Sequence, residues 1–211
     1  ITNPVTGNIL TTLTTISGTC SDTLAGVEQV RIAIRRGGDN YYWSDSITNW
    51  TAAETFNTCS GTTSWTYSFL DSRWTVGQTY YITVRATDTV ANLETPGPTV
   101  SFTFDNTPPD SKVIYPIQGQ YYSSLTAISG TASDTGLGGS PVTAIDLAVR
   151  ELNGPWWNGS TFSATSEVWY STNSWSAPNW TAVAPVFQTG YRYQVYSRAK
   201  DQPGNQQSAY T

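Results

Sequence analysis

Histidine and methionine are absent, and only Lys112 and Lys200 among the ten basic residues are lysines. Without His, the commonest general base and transition-metal ligand is missing, which excludes most hydrolase triads and His-based zinc sites. Charge of either sign is scarce, at 12% of the 211 residues, about half the usual globular share. The balance is acidic, net −5, so nothing here could neutralise a run of phosphates and nucleic acid is excluded as a partner. No apolar run approaches the ~18 residues needed to span a membrane. The chain opens at Ile1 with neither an initiator Met nor a basic-then-apolar leader, and is expected to be a mature or excised segment.

Hydroxyl residues take up the space that charge leaves, with 34 Thr and 23 Ser. An apolar share of 38%, with 9 Trp and 13 Tyr, is enough for a real core and argues against disorder.

The chain states one pattern twice. Ile16-Ser-Gly-Thr-Cys20-Ser-Asp-Thr23 returns as Ile128-Ser-Gly-Thr-Ala132-Ser-Asp-Thr135, at an offset of 128 − 16 = 112. Arg31–Arg35 is echoed by Asp146–Arg150, Trp43 by Trp157 and Trp65 by Trp180. Arg85-Ala-Thr-Asp88-Thr-Val-Ala-Asn92 matches Arg198-Ala-Lys-Asp201-Gln-Pro-Gly-Asn205, at 198 − 85 = 113. Offsets that wander by a few residues mark loop insertions in a common frame, so two homologous domains are expected, 1–107 and 108–211. The boundary falls at Asp105–Ser111, where Pro108 and Pro109 fix φ and make a short, stiffened connector.

Each copy reads as all-β. Val30, Ile32 and Ile34 alternate with Arg31, Ala33 and Arg35; Tyr80, Ile82 and Val84 alternate with Tyr81, Thr83 and Arg85. A period of two marks half-buried strands, and no segment offers a helical period. Seven short strands in about 110 residues is the pattern of an immunoglobulin-like sandwich. Gly77-Gln-Thr-Tyr80 and Gly190-Tyr-Arg-Tyr193 both set a Tyr where such sandwiches place a tyrosine corner; an ordinary core Tyr is the alternative.

The paired Ile-Ser-Gly-Thr and Arg-Ala-x-Asp-x-x-x-Asn motifs, with Phe104-Asp-Asn-Thr-Pro-Pro109 between them, resemble bacterial Ig-like repeats. Such repeats stand in tandem in large surface adhesins and other extracellular proteins. The resemblance covers nearly the whole chain, twice. It implies extracellular or cell-surface location, architecture and adhesion rather than catalysis. It also implies neighbouring Ig-like repeats, of the same or an identical chain, as partners. The first copy departs from the motif at Val90-Ala91, where a Gly would stand before Asn92.

Three groups of residues are candidates for chemistry. Asp105, Asp110, Asp134, Asp201 and Asn205 should share one pole of the second copy, where several oxygens could hold Ca²⁺. Asp22, Asp88 and Asn92 would form the equivalent site in the first copy. The alternative is that these residues cap turns through local backbone amides. Cys20 and Cys59 both lie in the first copy and have no counterparts in the second, which favours a private disulfide over two buried thiols. Trp156, Trp157 and Trp169 could present rings to a glycan, or could cover the sheet as structural residues; paired positions such as Trp43 and Trp157 favour the structural role.

No nucleophile-plus-base pair, phosphate loop or Cys-rich metal spacing is present. The expected function is a non-catalytic repeat module: a stalk, adhesin segment or filament subunit. The alternative is a carbohydrate-binding sandwich of a secreted enzyme, with glycans or a cell-surface receptor as partners. One strand is unaccounted for. Val100, Phe102 and Phe104 alternate as a last strand in the first copy, whereas the second copy has only Gln206–Thr211 after Asn205. The edge beside Tyr193–Ala199 is therefore expected to be filled by further chain or by a neighbouring copy.

Overall fold

The computed structural model describes residues 1–95, 99–136, 138–172 and 174–208. The chain divides into two compact units, Ile1–Asn106 and Thr107–Thr211. Each is an immunoglobulin-like β-sandwich.

Unit 1 contains β1 (Asn8–Leu10), β2 (Thr15–Thr19), β3 (Val27–Arg36), β4 (Tyr42–Ser44), β5 (Asn49–Thr51), β6 (Asn57–Thr58), β7 (Ser64–Ser68), β8 (Thr79–Asp88) and β9 (Val100–Phe104). One sheet runs β1-β9-β8-β3-β4-β5, with β6 also on β3; β2 and β7 form the other. Most neighbours are antiparallel, but β1 lies parallel to β9, with Asn8 beside Phe102, Ile9 beside Thr103 and Leu10 beside Phe104. The alternation seen in the sequence is the alternation of burial: Val30, Ile32 and Ile34 of β3 and Tyr80 and Ile82 of β8 face the core. Trp74 sits among Phe69, Tyr80 and Phe102, with ring centroids 4.2, 4.6 and 5.0 Å away. Its indole N–H donates to the Leu13 carbonyl at 2.8 Å, so the polar edge of the ring is satisfied inside the core.

Unit 2 contains β10 (Asp110–Tyr115), β11 (Ala127–Ser133), β12 (Val142–Glu151), β13 (Trp156–Trp157), β14 (Phe162–Ala164), β15 (Tyr170–Ser171), β16 (Ser174–Ser176), β17 (Asn179–Val183) and β18 (Tyr193–Asp201). Its sheets are β10-β11-β17-β16 and β14-β13-β12-β15, with β18 also paired to β12. Ile128, Leu147, Val149 and Trp180 form its core. Among the described residues β18 has β12 along one edge and only the single Lys200–Gln206 bridge outside it. The last residues of the tail, 209–211, lie outside the described residues.

Two repeated motifs explain themselves here. The glycine of Ile-Ser-Gly-Thr faces a tryptophan across the ladder in both units, Gly18 opposite Trp65 and Gly130 opposite Trp180. The indole lies over the missing side chain, and both Trp residues are fully buried. The tyrosine corner is present twice. Tyr80 Oη accepts the Thr75 N–H at 2.6 Å and Tyr193 Oη accepts the Gln188 N–H at 3.0 Å, each five residues back.

Candidate functional site

The acidic residues are best understood from the turn they build. After β8, Asp88 Oδ1 accepts the N–H groups of Val90 and Asn92 at 3.0 and 2.8 Å, and its Oδ2 accepts the Asn92 amide at 2.8 Å. After β18, Asp201 does the same with Gly204 N–H, Asn205 N–H and the Asn205 amide, at 2.8, 2.6 and 2.8 Å. Asp-x-x-x-Asn is thus a self-contained lock: one buried carboxylate supplies the acceptors that a four-residue turn needs. The departure at Val90-Ala91 is absorbed by Ala91, which takes a left-handed φ of 69°. In unit 2, Gly204 stands in the same backbone region at φ 103°.

In unit 2 the lock has a neighbour. A carboxylate oxygen of Asp134 lies within 4.8 Å of one of Asp201. Asp134 uses Oδ2 to accept the Ser140 N–H at 3.1 Å. Asp110, expected at the same pole, is turned elsewhere: it accepts from Gln207 Nε2 at 3.1 Å and pairs with Lys112 at 3.1 Å. Period-two geometry explains this, because Asp110 is already in β10 and its side chain follows the pleat. Asp105 follows β9 in unit 1, where its N–H donates to Leu10 O at 2.9 Å.

The equivalent set in unit 1 is built differently. Asp22 Oδ1 accepts three N–H groups, those of Leu24, Ala25 and Gly26, at 2.8, 2.8 and 3.3 Å. The Ala25 and then the Leu24 amide hold this exposed carboxyl below the usual carboxylate range. From Asp22 to β3 there are 27 − 22 − 1 = 4 residues, against 142 − 134 − 1 = 7 from Asp134 to β12, and the shorter stretch wraps around its own aspartate. Among the described residues, unit 1 holds no group of three or more such side chains that could grip one ion.

The cysteines are not bonded. Cys20 and Cys59 are separate free thiols, which corrects the disulfide expected from their pairing in one copy. They belong to opposite sheets. The Cys20 N–H donates to Thr63 O beside β7, whereas the Cys59 N–H donates to Val30 O on β3. Burial pushes the Cys59 thiol up to about 12. Cys20 is raised as well, by burial first and then by the Glu94 charge.

Each of the three candidate glycan rings is half-buried and has a neighbour within the unit. Trp157 packs inward on Phe162, ring centroids 5.1 Å apart. Trp156 stands 5.7 Å from the Tyr196 ring and 5.2 Å from the Arg150 guanidinium. Arg198 lies 4.2 Å over the Trp169 ring and also bonds Asp146 at 3.2 Å. Unit 1 repeats the device, with Arg35 over Tyr81 at 4.2 Å and Arg85 over Phe56 at 3.7 Å. Guanidinium–aromatic stacks thus involve arginines of β3 and β8 in unit 1 and of β12 and β18 in unit 2, and Ala33 and Ala148 of the same sheets are buried. Sequence reasoning missed this pairing; the signal was the equal spacing of Phe56 to Trp169 and Arg85 to Arg198 (169 − 56 = 113; 198 − 85 = 113).

No protein-family model and no curated protein matches the chain. Among solved structures it is similar to the fibronectin(III)-like modules of CbhA from Clostridium thermocellum. There the identity is 14% and the TM-score 0.42, over 99% of this chain and 88% of that one. It is also similar to a tetra-tandem repeat in the extending region of a large adhesion protein. That match has 20% identity and a TM-score of 0.34, and covers 91% of this chain but 42% of that one. No helix is long and apolar enough to cross a membrane among the described residues.

Proposed function

We propose that the chain is a non-catalytic segment of tandem repeats, serving as a spacer, stalk or filament element of a large extracellular adhesive protein. One observation carries this reading: the residues that the two units share are engaged in framework. Gly and Trp fit each other across a ladder, Tyr ties a corner, Asp and Asn lock a turn, and Arg stacks on an aromatic ring. Equal spacing of framework residues is what a repeated spacer needs, whereas a binding module keeps ring faces open. Immobilised polysaccharides and a glycan array should therefore show no saturable binding of the chain. Saturable binding that disappears in Trp156→Ala or Trp169→Ala would favour the carbohydrate-binding module instead.

In the same reading, Ca²⁺ is a ligand of the Asp134–Asp201 pole of unit 2. Two carboxylates with oxygens this close repel each other, and a cation bound between them offsets that repulsion. Adding Ca²⁺ should raise the melting temperature of the unit 2 transition, and Asp134→Asn should remove the effect. A transition that chelator and Ca²⁺ leave unmoved assigns both carboxylates to their turns alone.

A further inference from the structure

The two units differ in charge at one matched place on the outer face of the sheet. In unit 2, Asp146 of β12 lies in the ladder between Arg198 of β18 and Ser171 of β15. Its Oδ2 accepts from Arg198 Nε and Nη2, both at 3.2 Å, and its Oδ1 accepts from Ser171 Oγ at 3.2 Å. The Arg198 guanidinium is stacked on Trp169 at the same time. Carboxylate, guanidinium, hydroxyl and ring make one closed set.

Unit 1 keeps three of these parts and reverses the charge of the fourth. Arg85 takes the place of Arg198, Thr58 that of Ser171 and Phe56 that of Trp169, all at one offset (198 − 85 = 113; 171 − 58 = 113; 169 − 56 = 113). At the position of Asp146 stands Arg31, again between Arg85 and Thr58 in the ladder. Two guanidinium groups therefore sit directly opposite each other, where like charges repel. Among the described residues neither makes an ion pair. Arg31 Nε donates to Gln29 Oε1 at 2.6 Å, and the exposed Glu28 and Glu54 pair with neither arginine. Arg85 Nε, the counterpart of the nitrogen that bonds Asp146, is buried without a hydrogen-bond partner. Phe56, with its ring centroid 3.7 Å from the Arg85 guanidinium, holds that plane in place. Arg35 continues the same face of β3 and is stacked on Tyr81.

In a chain of ten basic residues and net charge −5, three guanidinium groups without a carboxylate on one sheet face are a local exception. A stacked arginine is pre-organised for a carboxylate, because its planar fork loses little freedom on bonding. We propose that this face of unit 1 is a docking site for an acidic polypeptide segment, and that Arg31 and Arg85 together grip one of its Asp or Glu side chains, with the Thr58 hydroxyl beside them. Unit 2 supplies the argument for that occupant, since the same framework closes there on an aspartate side chain. The carboxylate is the chain's own in unit 2 and a partner's in unit 1. The acidic chain as a whole repels such a segment, so the attraction is confined to this patch. The inference goes beyond the spacer reading and does not depend on it.

Fluorescence anisotropy of a labelled poly-aspartate peptide, titrated with the full chain at low ionic strength, tests this. Saturable binding is expected, and it should weaken steeply as salt is added. R31D and R85Q should each weaken it by about tenfold or more, as loss of a charge-assisted contact to a carboxylate does. R150Q, which removes an arginine of unit 2, should leave it unchanged. R31D also gives unit 1 the arrangement of Asp146 and Arg198, so the unit 1 melting temperature should rise while binding is lost, which separates lost binding from lost folding. No saturable binding by the parent, or an equal loss in R150Q, overturns the site. Binding that survives R31D, or a unit 1 melting temperature that R31D lowers, overturns the role of the Arg31–Arg85 pair. Tighter binding of a polyuronate oligosaccharide than of the peptide, lost again in R31D, overturns the polypeptide as occupant.

Discussion

Replacing Gly130 with alanine is expected to abolish the folding of unit 2 while unit 1 still melts as before. A Cβ at Gly130 would stand 2.6 Å from Trp180 Cε2 and closer still to the Lys112 carbonyl. One obstacle is a fully buried ring and the other is backbone, and neither can give way inside a packed sandwich. The loss should exceed about 4 kcal/mol, a large share of the stability of a domain this size. Gly18→Ala should be milder, at about 2–3 kcal/mol. There the new Cβ meets the Trp65 indole, with Cε2 at 2.8 Å, and the nearest backbone atom is Ile1 Cα at 3.0 Å. Calorimetry should show one transition lost in the first variant and one lowered in the second. Two transitions near the parent temperatures in Gly130→Ala would mean that the Gly–Trp fit is not what holds the sheet.

Much of the fold was legible because period-two burial leaves a direct mark on composition. Val30, Ile32 and Ile34 could only be a half-buried strand, and the doubled Ile-Ser-Gly-Thr fixed the two-unit plan. What the repeats meant physically was less visible. Gly18 and Trp65 each recur, but their contact is made across a ladder between residues 47 positions apart (65 − 18 = 47), and nothing local announces it. The cysteines misled for a similar reason. Presence of both in one copy suggests a bond, yet Cys20 and Cys59 are hydrogen-bonded into opposite sheets. At the pole where Ca²⁺ was expected, with turn caps as the alternative, Asp22, Asp88 and Asp201 bond to their own turns. Asp134 and Asp201 come close to one another, whereas Asp110 follows the pleat of its strand to Gln207.

Asp201→Ala should cost unit 2 about 3–5 kcal/mol, and Asp88→Ala should cost unit 1 slightly less. Each carboxylate accepts two backbone N–H groups and its own asparagine amide. Removing it leaves those donors without an acceptor, and each buried orphan costs about 1–3 kcal/mol unless water reaches it. Asp201 is 1% exposed and Asp88 8%, so solvent repairs the second loss more readily. The Asn replacement keeps one carbonyl oxygen and should recover about half of either loss. Urea denaturation of the four variants measures this directly. A loss within about 0.5 kcal/mol for both alanine variants, the range of an ordinary surface change, would demote the lock to decoration.

The parallel pairing of β1 with β9 bears on how unit 1 would carry load in the proposed spacer role. The chain enters the sheet at Asn8 and leaves it at Phe104, at opposite ends of two strands that run the same way. Tension along the polypeptide therefore slides β1 past β9, so that the three residue pairs from Asn8–Phe102 to Leu10–Phe104 are strained together in shear. An antiparallel hairpin pulled from its open end peels apart one bond at a time. A unit joined in this way resists stretching through the simultaneous failure of its ladder, which suits an element whose work is to stay the same length.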